Sequence, residues 1–410
     1  MKTTYRLAWL TTTLTSLAAS LSTSTIAAQS VDVYGLSVET RTKDVSMTTA
    51  TGCSTPSPMC STGLKIMNAY EGGISYSARR DAWWISDGVL LQERGARCTL
   101  TCNTRASLAL GTSSRVGGLS SSARLLHLYH VESIAGSGAI VTYSLTTTCP
   151  TPLQTCTFSL PSRSHRTSAL AYDDRRRSFY VASTDGVSTT IQHFQASTCN
   201  LLCSWQVPAT CGSFTIRGIR AMEYDECRDT LVMSDGAIVL ESRLTHTPSG
   251  CPQVSSRVCC QIASSTLAYH GLDIQDGKAT AVGTSCTSRP CATCPTMALQ
   301  ARGRPVVGNA DFALALENAP AQSIAVMILS AGACNRVAFG CGGLFPQLAN
   351  PTLTIPVLTN GRSGCEGSAR VPLPVPAAYS WCGQKLCTQF AIFCPSVGIA
   401  LTNGLLLEIE

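Results

Sequence analysis

Short apolar runs alternate with polar turns along the chain, and one pattern recurs about every 50 residues between residues 72 and 300. The clearest copies align without gaps and begin at Gly73, Gly118, Ala169 and Arg220, with a weaker copy at Gly271. The steps between equivalent positions are 45, 51, 52 and 50 residues, counted from Tyr76 through Ser121, Tyr172 and Tyr224 to Ile274. Internal repetition of this length indicates a repeat architecture.

Each copy predicts several short antiparallel strands. The second strand of the copies is predicted at Ala82–Ser86, Leu125–Val131, Ser178–Ser183, Thr230–Ser234 and Lys278–Gly283. Three copies then carry an Asp-Gly pair, which is typical of a tight hairpin because glycine reaches positive φ. No apolar run of helical length shows a 3.6-residue period. Four short strands in about 50 residues are typical of a blade, so we expect an all-β chain with a β-propeller.

The number of blades depends on residues 31–66. Five repeats are clear, and residues 31–66 contain further strand-like runs without the tyrosine and Asp-Gly marks. They could form the outer half of a sixth blade that the end of the chain completes, or an extra outer strand on a ring of five. We favour six blades over five.

The repeat ends at Arg302–Pro305, where the composition changes. At least six strand-like runs follow, separated by proline- and glycine-rich turns, and they show neither repeat nor helical period. This pattern predicts a small β-sandwich. The expected domains are therefore a propeller over residues 29–303 and a sandwich over residues 304–410.

The first 28 residues predict a secretory signal peptide. Lys2 and Arg6 precede an apolar-to-neutral segment from Leu7 to Leu21, and small residues end at Ala28. No later stretch is long and apolar enough for a transmembrane helix. We therefore expect a secreted, extracellular protein, or one held in the periplasm or at a cell surface.

The 22 cysteines all follow this segment and predict disulfide bonds. Most lie in close pairs, which predicts local bridges inside each blade. The candidate residues are Cys53, Cys60, Cys98, Cys102, Cys149, Cys156, Cys199, Cys203, Cys286 and Cys291. A metal site is the alternative, because Cys291 and Cys294 have the spacing of half a zinc knuckle. No histidine lies close in sequence to complete that ligand set.

Charge changes the picture little. Charged residues make up 13% of the chain and the net charge is +6, with arginine and lysine scattered. Nucleic-acid binders usually concentrate basic residues on one face. We therefore expect no nucleic-acid partner and favour an extracellular protein or glycan.

The segment Tyr180–Val187 resembles the strand-turn-strand signature of YVTN-type and NHL-type propeller repeats, which secreted bacterial proteins contain. The resemblance covers residues 72–300 in short motifs and implies a propeller. These families include binding proteins, surface proteins and a minority of enzymes, so the resemblance implies no single activity. The runs Phe312–Pro320 and Ile399–Ile409 resemble a C-terminal β-domain of secreted bacterial repeat proteins.

Six residues are candidates for ligand binding, each with a structural alternative. Asp87, Asp185 and Asp235 recur in register and could ring one face of the propeller to hold Ca²⁺ or an amine. The alternative, which we favour, is that they are hairpin residues. Trp83 and Trp84 could stack on a sugar or pack between blades. His270 precedes an innermost strand and could face the central channel.

The acids of Tyr172-Asp173-Asp174 and Tyr224-Asp225-Glu226 follow innermost strands. We expect local ion pairs with nearby arginines rather than a metal site, because two acids in one loop supply too few oxygen ligands. Serine-hydrolase, nucleotide and zinc-protease motifs are absent from the sequence. The sequence therefore favours a binding or structural module without a cofactor. The alternative is a carbohydrate-active or lyase-like enzyme at the central channel.

Overall fold

The computed structural model describes residues 33–39, 42, 44–50, 57–95, 98–122, 124–247, 251–261, 267–274, 277–285, 294, 297–339, 342–394 and 398–410. The predicted signal peptide over residues 1–28 lies outside these ranges. The described residues form strands, with one short 3₁₀ turn at Tyr379–Trp381. Among them, no helix has the length and apolar character that a membrane span needs.

The strands up to residue 274 follow the repeat. Three precede its first copy: β1 Val33–Glu39, β2 Asp44–Ala50 and β3 Ser57–Lys65. The next two sets are β4 Gly73–Ser77, β5 Ala82–Ser86, β6 Leu90–Gly95, β7 Leu100–Arg105, β8 Arg115–Ser121, β9 His127–Ile134, β10 Ser137–Ser144 and β11 Thr151–Ser159. The remaining ones are β12 Arg166–Asp173, β13 Ser178–Thr184, β14 Thr189–Gln195, β15 Leu201–Gln206, β16 Thr210–Cys211, β17 Phe214–Thr215, β18 Ala221–Asp225, β19 Thr230–Ser234, β20 Ile238–His246, β21 Pro252–Gln261 and β22 Leu267–Ile274.

Five antiparallel sheets of four strands form a propeller. Blades I to IV are β4–β7, β8–β11, β12–β15 and β18–β21, each in chain order from the centre outwards. Blade V joins the two ends of the propeller segment, because β22 pairs with β1 and the order is β22, β1, β2, β3. The innermost strands contact one another around the ring. The predicted propeller is therefore confirmed. The described residues form five blades rather than the favoured six, and strands from residues 31–66 complete the fifth.

Each blade junction has its own apolar core. The five cores lie between consecutive blades, including the junction of blades V and I. Successive side chains of a strand point to opposite faces of its sheet, so one strand supplies two cores. Trp83 packs between blades V and I, and Trp84 packs between blades I and II. The ring is thus held by burial on both faces of every blade.

Small residues narrow the centre of the ring. Equivalent positions of the five innermost strands are Gly73, Gly118, Ala169, Ala221 and Gly271. A Cβ at Gly118 would lie 2.6 Å from the Leu170 backbone nitrogen, and one at Gly271 would lie 2.6 Å from the Ile74 nitrogen. The gap left at this waist is about 10 Å³, roughly the space of one water molecule. The two ends of the channel are therefore separate sites.

The C-terminal strands form two packed sheets. They are β23 Lys278–Val282, β24 Ala298–Arg302, β25 Ala313–Ala319, β26 Ile324–Ala331, β27 Val337–Phe339, β28 Gly342–Leu344, β29 Thr352–Leu358, β30 Gly367–Pro372, β31 Lys385–Cys394, β32 Gly398–Leu401 and β33 Gly404–Glu408. One sheet has the order β23-β33-β31-β26-β29, with β32 beside β31, and the other is β24-β25-β30. Both contribute to one core that includes Phe312, Met327 and Phe390. The predicted β-sandwich is confirmed.

One strand lies in the other domain from the one the sequence predicted. Lys278–Gly283 was expected as the second strand of the fifth blade, but β23 pairs with β33 in the sandwich. The place beside β22 is already taken by β1. Pairing with the C-terminal strands therefore begins near residue 278, earlier than the predicted boundary between residues 303 and 304.

Disulfide bonds link different blades, so the prediction of local bridges inside each blade is wrong. Eight bridges join described residues: Cys60–Cys98, Cys102–Cys149, Cys156–Cys199, Cys203–Cys251, Cys211–Cys259, Cys227–Cys382, Cys294–Cys365 and Cys334–Cys387. The first four connect blades V to I, I to II, II to III and III to IV. Cys294, the described half of the suggested zinc knuckle, is disulfide-bonded; Cys53, Cys286 and Cys291 lie outside the described residues.

The physical reason is the position of each close pair. Cys98 lies in the turn before the outermost strand of blade I, where it meets blade V, whereas Cys102 lies on that outermost strand and meets blade II. The four inter-blade bridges close loops of 38 to 48 residues. Bridges of this kind are typical of proteins that fold outside the reducing cytosol.

Candidate functional site

The central channel has two ends with different chemistry. The innermost strands end at one face of the propeller, which we call the domain face because the sandwich strands and their connections cover it. The opposite face carries the starts of those strands and the Asp-Gly hairpins, and we call it the hairpin face. Since the waist separates them, each face is a separate candidate site.

The domain face encloses a chamber of about 80 Å³. The propeller contributes carboxylates from Asp174, Glu223, Glu226 and Asp273. Residues of the C-terminal part close the chamber, namely Arg304, Val306, Val307 and Glu410. An enzyme of the glycosidase type needs paired carboxylates beside an open groove for the sugar. These carboxylates lie beneath the C-terminal strands instead.

Several contacts hold that cover in place. The Arg304 guanidinium lies 3.7 Å from the ring centre of Tyr76 and 5.0 Å from that of Trp83. Arg79 pairs with Asp311 at 2.7 Å. The Cys227–Cys382 bridge joins the β18–β19 turn to the sandwich covalently. The domain face is thus an internal interface of the chain.

The acids at this interface are buried and hydrogen-bonded. Glu226 accepts hydrogen bonds from the Asp174 and Arg175 backbone N–H groups and from the Tyr379 hydroxyl. Burial, with Asp174 nearby, raises the pKa of Glu226 to about 8. Burial likewise raises the pKa of Asp273 to about 7, against the opposing effect of Arg304. These carboxyl groups therefore favour their protonated state near neutral pH.

The neighbouring acids are ion-paired as the sequence suggested. Arg176 lies 2.9 Å from Asp173, and Arg228 lies 3.3 Å from Asp225. In the described part of the chain, no three histidine, cysteine, aspartate or glutamate side chains are grouped as a metal site would require. The local geometry is that of charge compensation between a strand end and its following turn.

At the hairpin face, the three predicted aspartates bind their own turns. One carboxylate oxygen of Asp87 accepts hydrogen bonds from two backbone N–H groups at 2.9 and 2.8 Å, and Asp185 does the same at the same distances. Asp235 accepts two at 3.0 and 2.9 Å, and its second oxygen accepts the Arg217 N–H at 3.0 Å. The glycine that follows each aspartate has φ between 96° and 106°. The observed role of these residues is to form the hairpins.

Trp83 and Trp84 are both buried, with exposures of 3% and 0%. A sugar has no access to either ring. His270 is 6% exposed and lies at the hairpin face, with Nδ1 3.4 Å from the Glu71 carbonyl oxygen. It lines a cavity of about 80 Å³ together with Arg220. Of the six predicted candidates, the three aspartates and His270 therefore share one face, and the tryptophans lie within the blades.

The sequence reasoning missed the residues at the channel mouth on this face. Tyr70 lies on the segment between β3 and β4. The guanidinium of Arg166 lies 5.8 Å from its ring centre, and that of Arg220 lies 5.6 Å away. Distances below about 6 Å allow a cation–π attraction. A Cβ at Gly218 would lie 2.9 Å from the Tyr70 hydroxyl, so this glycine leaves the space that the tyrosine occupies.

Beside Tyr70, a polar pocket of about 250 Å³ lies between blades II and III. Its basic residues are Arg115, Arg163, His165 and Arg166, and its hydroxyl groups come from Ser113, Ser133, Ser164, Thr167 and Tyr70. Glu71 is the single carboxylate that lines it. The mouth of the channel is therefore polar, partly aromatic and locally basic.

A repeated sequence position could have identified this pocket. Tyr70, Arg115 and Arg166 each lie six residues before the equivalent positions Tyr76, Ser121 and Tyr172. A bulge follows each arginine, since the pairing of β8 shifts after Val116 and that of β12 shifts after Thr167. Bulges re-aim side chains at the end of a strand. Arginines that are scattered in sequence thus lie around one pocket.

Comparison with known proteins gives similarity at the level of the fold. The chain is similar to the β-propeller domain of Cps50 (Swd1) from Myceliophteria thermophila, with 11% identity, 56% of this chain and 72% of that chain covered, and a TM-score of 0.34. It is also similar to the Malassezia sympodialis allergen Mala s 1, with 11% identity, coverage of 81% and 91%, and a TM-score of 0.30. For TolB from Acinetobacter baumannii the values are 10%, 70% and 61%, and 0.31.

No family model and no curated protein sequence matches the chain. The assignment of the propeller therefore rests on the strand order and register described above.

Proposed function

We propose that this protein is a secreted β-propeller binding module that holds an extracellular ligand at the mouth of the channel on its hairpin face. The observation that carries the proposal is the asymmetry of the two faces. The sandwich covers the acidic end of the channel, while the mouth beside Tyr70 carries a polar pocket of about 250 Å³. Ligand sites commonly lie in such concave pockets with a few convergent polar groups.

Two features support an extracellular setting. The first 28 residues have the pattern of a secretory signal, and the described cysteines are all oxidised in pairs. Bridges from one blade to the next suit a binding scaffold, since they fix the positions of loops that different blades contribute. In this proposal the sandwich serves for attachment or association.

The export part of the proposal has a direct test. The full-length chain is expressed with secretion, and the intact mass of the exported protein is measured. We expect the mass of a chain that begins near Gln29 with its cysteines oxidised. Full-length protein in the cytosol with mainly free thiols would contradict this part.

The binding part is tested with the oxidised protein on arrays of extracellular polysaccharides and matrix proteins. We expect the ligand that binds the wild type to be lost with Tyr70→Ala, because Tyr70 lies at the centre of the mouth. The matched control is Phe339→Ala, which removes an exposed aromatic ring from the sandwich strand β27. Equal binding by wild type and the Tyr70 variant would contradict the proposed site.

A further inference from the structure

We propose that the pocket between blades II and III binds an oxyanion group carried by an acidic polysaccharide, either a uronate carboxylate or a sulfate ester. This inference rests on the proposed function and names the ligand class for the same mouth. It is carried by the charges that line the pocket, their lack of internal partners and the way in which they are held.

The first argument is uncompensated charge. The pocket contains three arginines, Arg115, Arg163 and Arg166, against one carboxylate, Glu71. In the described part of the chain none of these arginines forms an ion pair. An oxyanion there would gain the attraction of several fixed positive charges, and partial enclosure by the protein strengthens that attraction relative to water.

The domain face provides an internal contrast. Arginines at that end of the same blades are paired with carboxylates: Arg79 with Asp311, Arg80 with Glu93, Arg176 with Asp173 and Asp229, and Arg228 with Asp225 and Glu410. The fold therefore neutralises its arginines where they only hold the structure together. The arginines of the mouth lack that compensation, so an external anion is their natural counter-charge.

The second argument is preorganisation. Arg115 Nη1 donates to the carbonyl oxygens of Thr112 at 2.8 Å and Ser114 at 2.7 Å, which fixes its guanidinium on the turn before β8. Arg166 is held over the Tyr70 ring. Side chains that are fixed before binding lose less conformational entropy when the ligand arrives.

The third argument is the kind of pocket. Its volume of about 250 Å³ lies just below the range of about 300–1,000 Å³ for small-molecule sites, which suits one sugar residue of a longer chain. The serine hydroxyls can exchange hydrogen bonds with sugar hydroxyls, and the arginine fork matches the geometry of a carboxylate or a sulfate. An acidic sugar unit satisfies both sets of groups.

The test measures binding of three oligosaccharides to the oxidised protein by calorimetry. The probes are an oligogalacturonate for carboxylate, a heparin-derived oligosaccharide for sulfate and a cello-oligosaccharide as the neutral control. We expect at least one acidic probe to bind, with affinity that falls about tenfold or more between 50 and 500 mM salt because screening weakens exposed charge attraction. The arm that binds distinguishes carboxylate from sulfate.

The variants are Arg115→Gln combined with Arg166→Gln, and Arg362→Gln as a control at an exposed arginine of the sandwich. We expect the double variant to weaken acidic binding at least tenfold and the control to match the wild type. Thermal melting checks the fold of each variant. The salt dependence of the wild type supplies a second readout that needs no variant.

The outcomes separate the two proposals. If neither acidic probe binds, or if the double variant and high salt leave binding unchanged, the oxyanion inference is overturned. If a neutral ligand then binds and is lost with Tyr70→Ala, the proposed function stands without the inference. If the acidic probe binds equally to the double and Tyr70 variants, both proposals for this mouth fail.

Discussion

The three Asp-Gly hairpins show how a single residue type sets the shape of the hairpin face. In each, the residue before the aspartate is Ser86, Thr184 or Ser234, and its hydroxyl accepts the N–H of the glycine at 3.0 Å. The aspartate then accepts the next two N–H groups. The turn therefore satisfies its own backbone donors where no strand neighbour reaches them. Since these carboxylates already bind the turn, they serve the mouth by holding the blade edges.

The burial of Asp235 makes it the most sensitive of the three aspartates. Asp235 is 8% exposed and accepts three backbone N–H groups. Its replacement in Asp235→Ala leaves those donors unsatisfied, and we expect a loss of about 1–3 kcal/mol in the free energy of unfolding. Asp185 is exposed, so water can replace its carboxylate and Asp185→Ala should cost less. Chemical denaturation of both variants checks the order, and equal losses would contradict it.

At the scale of the strands, propeller closure and disulfide bonds act together. Blade V is completed by strands from the start and the end of the repeat region, so closing the ring requires contacts between residues more than 200 apart in sequence, such as Val33 and Ile274. Such contacts carry a large loop-closure entropy. The bridge Cys60–Cys98 fixes blade V to blade I beside that closure. The bridges therefore restrict the unfolded chain along the ring.

The bridge between blades I and II allows a test of this arrangement. It closes a loop over a separation of 47 residues, for which the chain-entropy model gives about 4 kcal/mol of stabilisation. We expect the pair of substitutions Cys102→Ser and Cys149→Ser to lower the free energy of unfolding by up to about that amount. Mass spectrometry of unreduced peptides should recover Cys102 joined to Cys149. Recovery of Cys98 joined to Cys102 would restore the local pairing that the sequence suggested.

The repeat pattern predicted the strands and hairpins because both depend on local chemistry. Strand alternation, the Asp-Gly turns and the 50-residue period are all visible within one copy. Partners across the ring are different, because nothing near Cys98 or Cys102 in sequence shows which neighbouring blade each one meets. Closure by β1 and the position of β23 likewise depend on which distant strand reaches β22 first. The arginines of the pocket were missed because they lie about 50 residues apart and meet only in the folded ring.

At the scale of the whole molecule, the sandwich and the propeller share a buried, acid-rich interface. Glu226 lies next to the Cys227–Cys382 bridge and accepts the Tyr379 hydroxyl of the sandwich. Arg124 and Arg175 each lie 4.9 Å from the Tyr379 ring centre and offset part of the negative charge. Because burial and Asp174 raise the pKa of Glu226 to about 8, the interface is most favourable when this carboxyl group is protonated.

This gives a definite sign for the pH dependence. A carboxyl group with a higher pKa in the folded chain than in the unfolded one binds its proton more tightly when folded. Its contribution to stability is complete below the unfolded pKa of about 4 and is lost as the pH rises through about 8. Asp273, with a pKa raised to about 7, changes stability in the same direction. We therefore expect this interface to weaken between pH 6 and pH 9.

Glu226→Gln tests the assignment, because glutamine is neutral at both pH values and still offers an oxygen to the Tyr379 hydroxyl. We expect the melting temperature of the wild type to fall from pH 6 to pH 9 by more than that of the variant. Hydrogen exchange at residues 379–382 should rise with pH in the wild type and change less in the variant. Glu366→Gln, which neutralises an exposed carboxylate of the sandwich, should retain the wild-type pH response. If Glu226→Gln also retains it, the pH response arises elsewhere, and the covalent bridge rather than the acid controls how the sandwich closes the channel.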